Sequence, residues 1–215
     1  MKLYTYSHCP FCARVSYIAG KLNIKLEEVV IDYDDIETPT SLIGKKMVPI
    51  LQKDDGSIMA ESNDIIRYFL QLKDTDEPTE PSENSIEWQS DAFLPLQQIG
   101  YPRWSSLNLS EFSTESSRVA WKDKKQTTEL NFSQLLASTS EIVSQVNEFL
   151  IASEKRLNIN EGKSSISLFD SAIYFSILRG LYCEPTIKWP AQLNLWMKEQ
   201  ALESGVALLM SQQLK

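Results

Sequence analysis

An α/β half followed by an all-helical half is the fold class that the 215-residue sequence predicts, and three observations predict it. Up to Leu72 the apolar periodicity switches between two and about 3.6 residues. From Lys73 to Asn84 five acids, one base and two prolines stand with no large apolar residue. Beyond that stretch every sustained pattern is helical. The reading is therefore a domain of residues 1–72, an extended solvated linker of residues 73–84, and a helical domain of residues 85–215.

The elements follow in order. Lys2 to Ser7 sets Leu3 and Thr5 against Tyr4 and Tyr6, the alternation of a strand. Cys12 to Leu22 carries Val15, Ile18, Ala19 and Leu22 at helical spacing, and Leu26 to Ile31 is a second strand with Val29, Val30 and Ile31. Thr38 reads as the cap of a short helix, with Pro39 at its first helical position and Gly44 as its stop. Val48 to Lys53 and Ser57 to Ala60 flank Asp55-Gly56, a tight hairpin turn. Ser62 reads as the cap of a last helix bearing Ile65, Ile66, Phe69 and Leu70. The order β-α-β-α-β-β-α, with Cys9-Pro10-Phe11-Cys12 on the first strand-to-helix turn, is the thioredoxin-like arrangement. In the second half Phe132, Leu135, Leu136, Ile142, Val143, Val146, Phe149 and Leu150 form one apolar face. Leu168 to Leu181 is apolar on most sides, as a helix buried in a bundle is.

Composition narrows the function classes. The chain is 42% hydrophobic and 23% charged, the balance of a globular protein, and its net charge of −8 repels a phosphate backbone. A nucleic-acid partner is not expected. Half of that charge sits in the linker, so the acidity says little about partners. No apolar run approaches the roughly 18 residues of a membrane span, and the first residues are too short and polar for a signal peptide, which points to the cytoplasm and away from the membrane. Three cysteines are too few for a disulfide framework, and two of them in one Cys-x-x-Cys suit a reducing compartment with redox chemistry.

Cys9 lies just before the first helix, where its sulfur can accept the free N–H groups of Phe11 and Cys12 and feel the positive helix end. That placement favours thiolate, the nucleophile and good leaving group of thiol–disulfide exchange. Cys12, one turn inward, is the resolving thiol. A zinc site lacks ligands, because the chain has one histidine and no second Cys-x-x-Cys. His8 beside Cys9 invites a role as base, but neighbouring side chains leave a strand end in different directions, so a packing role is the simpler reading. Cys183, in the apolar bundle region, reads as a packed, inert thiol. Val48-Pro49 reads either as an edge-strand proline or as a loop whose exposed backbone pairs with a cysteinyl peptide. At Glu61-Ser62 a helix N-terminus with a hydroxyl suits a carboxylate, and the neighbouring acid suits an ammonium.

Taken with Met47-Val48-Pro49, Glu61-Ser62 and the helical second half, Cys9-Pro10-Phe11-Cys12 resembles a glutaredoxin domain fused to a glutathione-transferase-like helical domain. The chain is more specifically similar to the glutaredoxin 2 family, the large two-domain bacterial type. Asp35 to Thr40, Val48 to Asp55, Glu111 to Thr114, Asp123 to Lys125, Asn131-Phe132 and Trp189-Pro190 carry the resemblance through both halves. Phe11 departs from it, standing where this type commonly has tyrosine.

The resemblance implies a glutathione-dependent dithiol oxidoreductase that reduces protein disulfides and protein–glutathione mixed disulfides. Cys9 and Cys12 are then catalytic, and glutathione, the co-substrate, meets Cys9, Phe11, Val48, Pro49, Glu61 and Ser62. No metal and no tightly bound cofactor is implied, and the protein is expected to be a monomer. Ser167 and Asp170 resemble the capping segment of transferase-like helical domains, with the Asp170 carboxylate reaching back to the Ser167 N–H. Rival readings are a cysteine-type glutathione transferase, a dehydroascorbate reductase, and a non-catalytic relative such as the chloride intracellular channel proteins. Cys12 argues against the monothiol transferases, and the lack of a long apolar segment near the first helix against the channel.

Overall fold

The computed structural model of the chain describes residues 1–210, so residues 211–215, read above as part of the helical domain, lie outside the described residues. Its first half runs β1 (Lys2–Thr5), α1 (Pro10–Lys21), β2 (Glu27–Val30), α2 (Glu37–Ile43), β3 (Ile50–Gln52), β4 (Ile58–Ala60) and α3 (Ser62–Leu72). The strands form one sheet in the order β2-β1-β3-β4, with β1 parallel to β2 and the other neighbours antiparallel. Tyr4 pairs with Ile50 and Ile50 with Ala60, so the end of β1, the start of β3 and the end of β4 meet at one edge of the sheet. Whatever follows or precedes those strands is gathered there.

The second half is helical: α4 (Glu83–Trp104), a 3₁₀ turn (Ser110–Phe112), α5 (Glu115–Lys125), α6 (Phe132–Ala137), α7 (Thr139–Leu157), α8 (Leu168–Leu178) running into a second 3₁₀ turn (Arg179–Cys183), and α9 (Ala191–Ser204). Every residue of α8 after Leu168 is buried, which its almost unbroken apolar sequence requires. The core is continuous between the halves, since α1 packs against α3 and also against α8 and α9. Gly20 permits the closest of these approaches: a Cβ there would lie 1.9 Å from the Ser204 carbonyl oxygen. No helix among the described residues is long and apolar enough to cross a membrane.

Four local expectations change. The cap position of α2 is Ile36 rather than Thr38; Asp35, one residue before it, accepts the Thr38 N–H through Oδ1 at 2.9 Å, and Pro39 is the third helical residue rather than the first. A carboxylate suits the positive helix end better than a hydroxyl, and proline loses nothing within the first turn. Gly44 does stop that helix, at φ 75°, with its N–H on the Thr40 carbonyl. The apolar face from Phe132 to Leu150 is split at Ser138 into α6 and α7, where the Thr139 hydroxyl donates to the Leu136 carbonyl at 2.7 Å.

The remaining two changes concern the connector. Ser167 caps α8 by accepting the Asp170 N–H at 3.1 Å, but the Asp170 carboxylate does not turn back to Ser167; it accepts the Ser82 N–H at 2.9 Å. Glu77 accepts the Leu168 N–H at 2.8 Å. The irregular stretch between α3 and α4 is thus exposed over most of its length yet tied to the buried helix, because burial leaves the first N–H groups of α8 no water to use.

Candidate active site

Between β1 and α1 the chain makes a tight turn, closed by the Cys9 N–H on the Tyr6 carbonyl at 3.2 Å. Cys9 is the N-cap of α1, with extended backbone at φ −70° and ψ 123°, and its sulfur accepts the Cys12 N–H at 3.4 Å. Pro10 is the first helical residue. A hydrogen bond with the Cys12 thiol holds the Cys9 thiol below its ordinary value against the opposing effect of burial; the Cys12 and Phe11 N–H groups and the Arg14 charge act in the same sense. Burial pushes Cys12 the other way, well above an ordinary thiol. The pair is therefore polarised into a partly exposed thiol that loses its proton readily and a buried one that holds it.

Arg14 is itself buried, lies 4.8 Å from the Phe11 ring centre, and donates to Gln89 of α4 at 2.6 Å. Burial lowers it to about 10, which leaves it cationic at neutral pH. Phe11 is exposed on the helix surface with its ring stacked near Phe93.

The Val48-Pro49 peptide is cis. It immediately precedes β3, and the pairing of Ile50 with Ala60 sets Pro49 near Glu61 at the same sheet edge as Cys9. Glu61 is exposed, has φ 70°, and its carboxylate is 3.5 Å from the Lys45 ammonium. Ser62 is buried and is the first helical residue of α3, not its cap; the cap position belongs to Glu61, whose side chain makes no capping bond. The positive φ at Glu61 turns the chain into the helix one residue earlier than the hydroxyl pattern suggests.

A cavity of about 400 Å³ opens beside Cys9. Cys9, Phe11 and Val48 line it from the first half; Phe93, Tyr101, Trp104 and Trp121 line it from the helical half, and Lys46, Lys124 and Lys125 add cationic groups. Pro49, Glu61 and Ser62 do not line it, so the expected site residues share a sheet edge but not one cavity. Its wall includes His8, 5% exposed and boxed by Tyr6, Tyr33, Trp104, Phe112 and Trp121. His8 Nδ1 is 2.9 Å from Glu111 Oε1, and burial pushes the imidazole down, so it stays neutral. That is the packing role.

Sequence reasoning missed Arg14, Tyr6, Glu111 and Arg179, and missed the helical half's share of the wall. One signal was available: Arg179 is a lone cation in the apolar run from Leu168 to Leu181.

Residues 85–213 match the family described as glutaredoxin 2, C terminal domain, and residues 3–79 match the glutathione S-transferase N-terminal domain. Glutaredoxin 2 of Escherichia coli strain K12 is 34% identical over 212 residues, covering 98% of this chain and 99% of that protein. The crystal structure of glutaredoxin 2 from Salmonella typhimurium in complex with glutathione superimposes with a TM-score of 0.89 at 33% identity, covering 97% and 96% of the two chains. A theta class glutathione S-transferase from Xanthomonas axonopodis pv. citri shares the fold, with a TM-score of 0.59 at 15% identity over 96% of this chain and 98% of that one.

Proposed function

The chain belongs to the glutaredoxin 2 family and is a glutathione-dependent thiol oxidoreductase, and on that premise we propose how its own residues divide the work. Cys9 is the nucleophile and Cys12 the resolving thiol. The observation that carries this assignment is the Cys9 sulfur at the start of α1, accepting the Cys12 N–H while Cys12 itself is buried and proton-bearing.

In the reaction, the Cys9 thiolate attacks one sulfur of a substrate disulfide. The substrate S–S bond breaks, a Cys9–substrate S–S bond forms, and the departing substrate sulfur takes a proton. With a protein disulfide, Cys12 loses its proton and attacks Cys9; the Cys9–Cys12 disulfide forms and the substrate leaves as a dithiol. Glutathione thiolate then opens that disulfide at Cys9, and a second glutathione releases the first as glutathione disulfide, so two electrons pass from two glutathiones to the substrate. With a protein–glutathione mixed disulfide, Cys9 takes the glutathionyl sulfur directly and Cys12 is not needed.

Glutathione lies along the sheet edge. The Val48 backbone beside Pro49 pairs with its cysteinyl residue as an added strand. Ser62, at the first turn of α3, meets the γ-glutamyl carboxylate and Glu61 its ammonium, while Phe11 covers the sulfur. Protein disulfides and glutathionylated proteins are the partners, the protein acts as a monomer, and the reducing cytoplasm is where its thiols stay charged with electrons.

The test compares purified wild type with Cys12→Ser on a glutathionylated thiol, a protein disulfide, an aromatic electrophile and dehydroascorbate. Cys12→Ser should keep deglutathionylation and lose most protein-disulfide reduction. Rapid conjugation or dehydroascorbate reduction by wild type, without reduction of either disulfide, would overturn the assignment.

A further inference from the structure

The peptide group that joins Ser7 to His8 is held from both sides by the helical half. Its carbonyl oxygen accepts Arg179 Nη1 at 2.9 Å, and its N–H donates to Glu111 Oε1 at 2.9 Å. Both charged partners are almost wholly enclosed, Arg179 at 4% and Glu111 at 0% exposure. Each is anchored in turn: Arg179 Nε donates to the Ala207 carbonyl at 2.8 Å, and the Glu111 carbonyl accepts the Tyr33 N–H at 2.9 Å. An enclosed charge lacking partners is strongly destabilising, so two such groups on one peptide plane fix that plane tightly. It lies one residue before the nucleophile.

We propose that Arg179 and Glu111 are positioning residues, through which the helical half holds the Ser7–His8 peptide and, by their opposite charges, sets how readily Cys9 forms its thiolate. The proposal rests on Cys9 being the nucleophile. Arg179 is lowered by burial only to about 10 and stays cationic, and Cys9 is first among the groups whose charge it feels. The His8 hydrogen bond holds the Glu111 carboxyl low although burial opposes it, Glu111 Oε2 has no hydrogen-bond partner among the described residues, and Arg179 feels the Glu111 charge.

The other ionisable groups facing Cys9 are Cys12 and Arg14 from α1, Tyr6 and His8 from the turn, Tyr33 beyond β2, and the cavity lysines Lys46, Lys124 and Lys125. Only Arg179 and Glu111 combine a full charge with a bond to the turn. In a weakly polarisable interior the cation favours the thiolate and the anion opposes it.

The opposite signs separate this role from simple scaffolding. The experiment is the rate of alkylation of Cys9 against pH in the full chain, read by mass spectrometry of the Cys9 peptide, for wild type, Arg179→Gln, Arg179→Lys and Glu111→Gln. Arg179→Gln should raise the midpoint by about 0.5–1 and Glu111→Gln lower it by a similar amount, while Arg179→Lys stays near wild type. If both neutral variants move the midpoint the same way, or neither moves it, the proposal is overturned. Should Arg179→Gln fail to fold, as judged by near-ultraviolet circular dichroism, Glu111→Gln decides alone: it keeps the acceptor for the His8 N–H and removes only charge, and an unchanged or raised midpoint sinks the idea. Failure of the underlying functional reading shows separately, as turnover that survives Cys9→Ser.

Discussion

Cys9 and Cys183 each sit against the end of a short helix, and the ends are opposite ones. Cys9 precedes α1 and accepts a backbone N–H, whereas Cys183 closes the second 3₁₀ turn and donates its S–H to the Gly180 carbonyl at 3.2 Å. A cation stands near each, Arg14 beside Cys9 and Arg103 beside Cys183. The outcomes still diverge: Cys9 is held below the ordinary thiol value, and burial pushes Cys183 up to about 12. A nearby cation is therefore not enough to activate a thiol. Burial disfavours the thiolate at both sites; at Cys9 the Cys12 thiol and the free N–H groups of the first turn outweigh it, whereas Cys183 meets a carbonyl and burial prevails.

The comparison breaks most visibly in turnover. Cys9→Ser should cut disulfide reduction by about 10³-fold or more, to background, while Cys183→Ser stays within about twofold of wild type. Comparable losses in both variants would remove the distinction. Next in size is native-state labelling: at neutral pH Cys9 should alkylate at least ~100-fold faster than Cys183, with a midpoint well below 8. A Cys9 midpoint at or above 8.5 would mean that the helix start does not activate it.

Stability sharpens the same contrast, because α1 is held at its far end by the close approach of Gly20 to Ser204. Gly20→Ala should cost about 1–3 kcal/mol, measured by urea unfolding, through overpacking between α1 and α9. Its effect on the Cys9 midpoint should be negligible, since the first turn of α1 is untouched; a matching shift there would tie acidity to the whole helix rather than its first N–H groups. The smallest effect is expected at Ser62. Ser62 makes no capping bond, so Ser62→Ala should change stability by less than the ~1 kcal/mol of a lost cap, while weakening glutathione binding several-fold in calorimetry. Unchanged affinity would leave Ser62 a plain helix residue.

What was legible in the sequence was what depends on neighbours along the chain. Cys9 before Pro10, the turn at Asp55-Gly56, the stop at Gly44 and the buried run beginning at Leu168 each follow from spacing and local backbone chemistry. Two misreadings are competitions between neighbours or unusual backbone: Asp35, not Thr38, supplies the acceptor at the start of α2, and Glu61 at positive φ takes the cap position expected of Ser62. Asp170 was expected to serve its own helix and serves Ser82 instead, because a partner 88 residues away leaves no periodic trace. The same holds for the clamp on the Ser7–His8 peptide. Glu111 and Arg179 look in the sequence like one acid in a polar loop and one base at the end of an apolar run.

That clamp has a bearing on how the protein is made. Its two halves lie 103 and 172 positions beyond the residues they hold. While the chain is being synthesised, Cys9 and Cys12 leave the ribosome long before Glu111, and longer still before Arg179. The nascent thiols therefore pass through an interval in which the strand and first helix are present but the turn before Cys9 lacks its clamp, and on the proposal above their full reactivity would arrive only with the late helices.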